Sequence, residues 1–450
     1  MRCVRGAAAV AVLAAAIGAW APTDASAVAP TDRTDLGGTP VDASTDPGEP
    51  TSIDAGLWAV TLGSESAPLH FAYQRQIQGS TIHVGAIGAP QGTLGDGLAI
   101  AATDADIDDP EGDDCGSDTA STDSSAPYAT FGGQVIVGNE IDTPDSTCST
   151  ADTVAITLGR YGGYNEEDLP VALKIVEEAP VSDRGEPAPE TEELDFRVPE
   201  PGDPADGPAG SPSYDDAPLL DLDGDTFTLD TTVTEGTELL WRVPVAWGDQ
   251  LAARVDLPAL DSDDAEALGS PSSYLRVALV QPSREVFAPT LDDYSYGYYG
   301  GTEASRLVVG TYPLRYTNRF TSDVVPTLPG DHWVSITVAD APEDRAAIDV
   351  PVELTVAVTP TDAQPPTYQA AVLAQGGGPG PAAYSADKPY LVGKDRFAAV
   401  ASGNPAPQPS EDDVYWWTAR HVTGLGLGVV SLVCCVIGAG WLVRRRAASR

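Results

Sequence analysis

From Gly56 to about Val181 the chain repeats short runs in which apolar and polar residues alternate: "GLWAVTL", "LHFAYQ", "TIHVGAIG", "GLAIAAT", "GGQVIVG", "TVAITLGR" and "LPVALKIV". Successive side chains of a strand point to opposite faces, so a period of two predicts strands with one buried face. A second series runs from Asp225 to Pro360, with "TFTLDTTV", "ELLWRVPVAW", "LAARVDL", "YLRVALVQ", "SRLVVGTY", "DHWVSITVAD" and "DVPVELTVAV". Neither series holds a sustained helical period.

The two series match in order and spacing. Gly79 of "FAYQRQIQGSTIHV" aligns with Gly248 of "LWRVPVAWGDQLAA", Val154 of "VAITL" with Val334 of "VSITV", and Leu169 of "LPVALKIV" with Val350 of "VPVELTVA". This predicts a duplicated domain, one copy over 51–183 and the other over 219–360. Short antiparallel strands without intervening helices predict an all-β fold, as two tandem jelly-roll-like antiparallel β-sandwiches.

Composition divides the rest. Residues 28–50 are rich in Pro, Thr, Asp and Gly and read as a flexible leader. Residues 184–218 carry too much Pro, Gly and acid to bury a core and read as a linker, and 361–421 read as a low-complexity stalk. Residues 1–27 have basic Arg2 and Arg5, an apolar run and the small-residue pattern Ala25-Ser26-Ala27, the pattern of a signal peptide. Residues 422–443 hold no charge, enough to cross a membrane as one helix. Arg444, Arg445 and Arg446 follow, and by the positive-inside rule they place the tail 444–450 in the cytoplasm. The expected topology is type I single-pass in a plasma membrane, with the N-terminal ectodomain outside.

Charge narrows the partners. With 67 acidic against 24 basic residues the net charge is −43, and such a surface repels phosphate backbones, which argues against nucleic acid. Of the five cysteines, Cys3 falls in the signal peptide and Cys434 and Cys435 in the span. The remaining pair, Cys115 and Cys148, is expected to form a disulfide in an oxidising compartment.

Signals for chemistry are sparse. No Gly-x-Ser-x-Gly and no His-Glu-x-x-His occurs. Asp331 and His332 are adjacent, so on a strand they point apart. No catalytic residue is assigned and no enzymatic activity is expected. Asp221, Asp223 and Asp225 in "DLDGDT" have the alternate spacing of a calcium loop's first half, but position 232 is Thr where the loop needs Glu. "DADIDD", residues 104–109, is similar and lacks the Gly. Ca²⁺ is the one cofactor these acids suggest, and solvated turn acids are the simpler reading.

"LDDYSYGYYGG", residues 291–301, gathers Tyr294, Tyr296, Tyr298 and Tyr299. Tyrosine joins a flat apolar face to a polar tip, which suits contact with an extracellular protein or a cell-wall glycan. The same run also fits a hairpin whose tyrosines alternate between packing and covering an edge.

"TEGTELLWRVPVAWGDQLAARVDL" followed by "LPGDHWVSITV" resembles the bacterial pre-peptidase C-terminal domain, a jelly-roll-like sandwich appended to secreted enzymes. The anchored layout resembles the membrane-anchored C-terminal regions of certain actinobacterial secreted proteins. The resemblance implies a fold and transfers no active site. The expected function is a non-enzymatic cell-surface binding or assembly module. An accessory component of a secreted peptidase, or an unrecognised hydrolase, is one alternative; a structural envelope spacer is another.

Overall fold

The computed structural model describes residues 34–63, 67–92, 94–104, 113–122, 126–138, 146–162, 166–187, 193–222, 226–268, 273–291, 295–321, 325–342, 345–369, 389–391, 400–401 and 404–405. The expected signal peptide, membrane span and Arg444–Arg446 tail lie outside the described residues. Among those described, no helix is long and apolar enough to cross a membrane.

The chain is all-β. In its first half run β1 (Gly56–Leu62), β2 (Leu69–Gln74), β3 (Thr81–Gly88), β4 (Gly97–Asp104), β5 (Asp114–Ser121), β6 (Phe131–Val137), β7 (Thr153–Arg160) and β8 (Leu169–Glu178). In its second half run β9 (Thr226–Thr234), β10 (Glu238–Val245), β11 (Asp249–Leu257), β12 (Ser273–Val280), β13 (Tyr296–Tyr299), β14 (Ser305–Gly310), β15 (Gly330–Val338) and β16 (Asp349–Pro360). Among the described residues they are interrupted by the short helices α1 (Thr147–Thr150) and α2 (Ser262–Leu268) and by a 3-10 helix, Tyr316–Phe320.

Each half is a β-sandwich, and both have one strand order. In the first, β1-β8-β3-β6 faces β2-β7-β4-β5; in the second, β9-β16-β11-β14 faces β10-β15-β12-β13. The two orders differ only by a constant offset in the labels, so the residues aligned in sequence occupy equivalent strands. Gly79 at φ +67° joins β2 to β3 and Gly248 at φ +86° joins β10 to β11. Glycine adopts that left-handed backbone without the Cβ clash other residues meet.

Alternation fixes which face is buried. In β2, Leu69, Phe71 and Tyr73 point into the first core while His70, Ala72 and Gln74 are half-buried outside. The second core is filled by Val334, Ile336 and Val338 of β15 against Val352, Leu354 and Val356 of β16. Burying each such side chain contributes about 1.5–3 kcal/mol.

β3 and β15 are buried on both faces along their whole length, because the sandwiches stack. Leu57, Ile87 and Ala172 of β1, β3 and β8 pack against Leu240, Val280 and Trp333 of β10, β12 and β15. The backbones come so close that a Cβ on Gly85 would lie 1.7 Å from the Ser283 carbonyl oxygen. All the described residues belong to one compact unit.

The leader and the linker depart from the reading that composition suggested. Leu36 is 6% exposed and Tyr214 0%, and both enter the core between the sandwiches. Phe196 lies over Gly310 of β14. Pro and acid prevent these stretches from building a core of their own, but an extended backbone can still pair with an existing strand. The amides of Ser211 and Leu240 donate to each other's carbonyls at 3.2 and 2.8 Å, and Asp35 N donates to Pro212 O at 2.9 Å. The first part of the stalk is held too: Thr367–Tyr368 pairs with Val181–Asp183, and Tyr390–Leu391 pairs with the end of β8.

Candidate functional site

Two places gather unusual side chains, a buried clamp and an open ledge. The clamp centres on Glu178, the last residue of β8. Its carboxylate meets Arg319 Nη1 at 2.5 Å and His83 Nε2 at 2.9 Å, with all three side chains at 0% exposure. The Tyr368 hydroxyl donates to Glu178 Oε1 at 2.6 Å, and the Tyr390 hydroxyl lies 2.8 Å from that of Tyr368. Burial pushes the Glu178 carboxyl up, but the Arg319 guanidinium and His83 outweigh it and hold the pKa at about 2. Five groups from both sandwiches and the stalk thus meet in a sealed site, whose chemistry is that of a clamp.

The neighbouring carboxylate of Glu177 serves the β2–β3 turn. It accepts from Tyr73 OH at 2.5 Å, Ser80 Oγ at 2.6 Å and Ile77 N at 2.8 Å.

The ledge lies where β12 and β13 run past the edge of the first sandwich. Tyr298 pairs directly opposite Tyr274, and Tyr296 opposite Arg276. Period-two alternation therefore sends Tyr299 into the second core and puts Tyr296 and Tyr298 on the opposite face with Tyr274. The Tyr274 ring stacks on Tyr296 at 5.3 Å and 24°, takes Tyr298 edge-on at 4.9 Å, and meets Tyr128 of the first sandwich edge-on at 6.3 Å. Tyr298 is 57% exposed, whereas Tyr274 is 9%. Burial raises the Tyr128 pKa, with Tyr274 adding to it.

Sequence alone singled out Tyr296, Tyr298 and Tyr299, and the structure splits them between two faces. Tyr294 lies outside the described residues. Tyr128 and Tyr274 were missed; the signal was Tyr274 opening "YLRVALVQ" on the face opposite Leu275 and Val277.

The other expected residues fall as follows. Cys115 on β5 and Cys148 in α1 are disulfide-bonded, with Cα atoms 5.4 Å apart. Asp331 contacts Arg242 Nη1 at 3.3 Å while the His332 ring faces the Gly330 carbonyl at 3.0 Å, so the adjacent pair does not cooperate. Asp221 is exposed, and Asp223 and Asp225 lie outside the described residues. Among the described residues no three His, Cys, Asp or Glu side chains are grouped to hold a metal ion. Asp104 accepts from the amide of Asp113, and residues 105–109 lie outside the described residues.

No family model and no curated protein matches the chain. Among solved structures, Sulfolobus turreted icosahedral virus is similar at 9% identity and a TM-score of 0.15, over 68% of this chain and 60% of that one. The CBM22-1-CBM22-2 tandem domain of Paenibacillus barcinonensis Xyn10C is similar at 8% identity and a TM-score of 0.16, over 68% and 92%. Infectious bursal disease virus Gx strain is similar at 11% identity and a TM-score of 0.19, over 69% and 70%. The chain spans less than two thirds of the first of these, and at such scores the likeness carries no argument about function.

Proposed function

We propose that the chain is a non-enzymatic cell-surface binding or assembly module, secreted by its N-terminal signal and held in the plasma membrane by residues 422–443. The observation that carries this reading is Tyr298, 57% exposed on strand β13 against the ring of Tyr274. Exposed aromatic rings held on a fixed strand lose little entropy when a partner covers them. The order β1-β8-β3-β6 against β2-β7-β4-β5 supports reading each half as a jelly roll, and "LPGDHWVSITV", which enters β15, supports reading the second as pre-peptidase C-terminal-like.

Crosslinking of neighbours in intact cells tests the module. Replacing Tyr296 and Tyr298 by Ser is expected to remove crosslinks while the melting temperature holds. Crosslinks that persist would place the contact surface elsewhere. Protease added to spheroplasts is expected to remove nearly all of the protein's mass, and protection of the sandwiches would overturn the localisation.

A further inference from the structure

We infer that the outer face of the sheet β2-β7-β4-β5 is a self-association surface that takes the same face of a second copy of this chain; the inference does not use the tyrosine ledge. The sandwiches are joined through unlike faces. The first contributes the outer face of β1-β8-β3-β6, with Leu57, Ile87 and Ala172, and the second that of β10-β15-β12-β13, with Leu240, Val280 and Trp333. A contact between unlike faces leaves one face of each kind at the two ends of the stack.

The two ends differ. The outer face of β9-β16-β11-β14 is crossed by the linker: Phe196 lies over Gly310, Gln250 Nε2 donates to Asp195 O at 2.7 Å, Arg254 Nη1 to Pro199 O at 3.1 Å, and Gly202 N to Thr228 Oγ1 at 3.0 Å. At the other end Ala72, Ala155 and Thr103 form one row across β2, β7 and β4, and His70, Thr157 and Ala101 form the next. All six are partly exposed, and the contact of Thr157 Oγ1 with His70 Nδ1 at 3.2 Å shows that neighbouring side chains share this face. In the second sandwich the row equivalent to the first of these, Leu240, Ser335 and Ala278, is at most 2% exposed, because the first sandwich covers that face.

Charge selects the partner. The chain carries −43 overall, yet alternation turns no Asp, Glu, Lys or Arg outward from β2, β7 or β4. On β5, Asp114 stands at the corner of the face and accepts from the Gly116 amide at 2.9 Å. A partner recognised by its charge would find nothing here to pair with, whereas a second copy meets an uncharged face like its own. Because the linker closes the opposite end, the like-to-like contact closes as a two-fold dimer and does not grow into a filament. The sheet has five strands, counting Thr51–Ile53 beside β2, and β7 is eight residues long. At usual strand spacings the face measures about 24 by 27 Å, which gives about 1,200 Å² over both copies. That is the lower edge of specific interfaces, so a dissociation constant in the micromolar range is expected.

Sedimentation equilibrium of the full chain in a non-ionic detergent tests the dimer. A monomer–dimer equilibrium is expected that tightens as salt screens the repulsion between two strongly acidic copies. Ala155→Glu sets two carboxylates against each other near the centre of the contact and should weaken it more than about tenfold, with the melting temperature unchanged. Ala101→Glu, one strand away, should do the same and serves if the first variant fails to fold. Thr232→Glu, which adds the same charge on β9 at the linker-covered end, should leave the dimer intact. A chain that stays monomeric in high salt, a dimer that the folded face variants leave intact, one that Thr232→Glu breaks as readily, or one that salt weakens overturns the inference.

Discussion

Arg319 of the second sandwich and Glu178 of the first meet at 2.5 Å with neither side chain exposed to solvent. Tyr316 covers the guanidinium, its ring centroid 3.7 Å from Arg319 Cζ. The pair joins two sandwiches at a place where water cannot stand in for either partner. Replacing Glu178 by Gln keeps the shape and removes the charge, leaving Arg319 buried without its counter-ion. We expect a loss of about 3–5 kcal/mol in denaturant unfolding. A loss under about 1 kcal/mol would mean that the guanidinium is satisfied without the carboxylate.

Stability should fall in acid, beginning near neutrality. Burial lowers the His332 pKa to about 4, and its Nε2 has no hydrogen-bond partner among the described residues. Burial also lowers His83, against the pull of Glu178. The unfolded chain takes up these protons near pH 6.5 while the fold resists them, so stability drops from about 6.5 toward 4. Glu178, at about 2 when folded and 4.5 as a free side chain, extends the loss below 4.5. Half-buried Asp118 and Asp249 and buried Asp331, whose pKa values are raised by partial or full burial, take protons more readily in the fold and soften the fall at the acid end. Urea midpoints measured across this range should show His332→Gln flattening the upper limb; an unaltered limb would remove His332 from the account.

The Cys115–Cys148 bridge spans 33 positions and ties edge strand β5 to α1. Closing a loop of that length constrains the unfolded chain by roughly 3–4 kcal/mol. Changing both cysteines to Ser should lower the melting temperature by several degrees. Scanning calorimetry that finds no change would show that the loop is already restrained when the bridge is absent.

Tyr298 and Tyr299 are neighbours with opposite surroundings, 57% and 8% exposed. Tyr299→Ala opens a hole in the second core and should cost about 3–5 kcal/mol, whereas Tyr298→Ala should stay within about 0.5 kcal/mol. Equal costs would contradict the register that pairs Tyr298 with Tyr274.

Much of the fold was legible because it is local. Alternation in "LHFAYQ" and "TVAITLGR" assigns one face of β2 and β7 to the core, and the spacing from Gly79 to Leu169 and from Gly248 to Val350 carries the duplication. The disulfide was legible as well, since two cysteines remained once the terminal segments were set aside. "LDDYSYGYYGG" drew attention to the ledge, but its list was incomplete at Tyr128 and Tyr274 and mixed in Tyr299, a core residue.

What only the tertiary structure decided is where one sandwich meets the other. A strand's second face reads as exposed whenever its residues are small or polar, and Gly85 and Gln134 give no local sign that Ser283 and Thr327 lie against them. The Pro-rich leader and linker were read as free for the same reason. Their packing depends on a few rings, Phe196 and Tyr214 among them, and on backbone hydrogen bonds to distant strands. Sequence determines a residue's preference along its own strand; burial of the opposite face depends on residues far away in the chain, and only the folded arrangement brings them together.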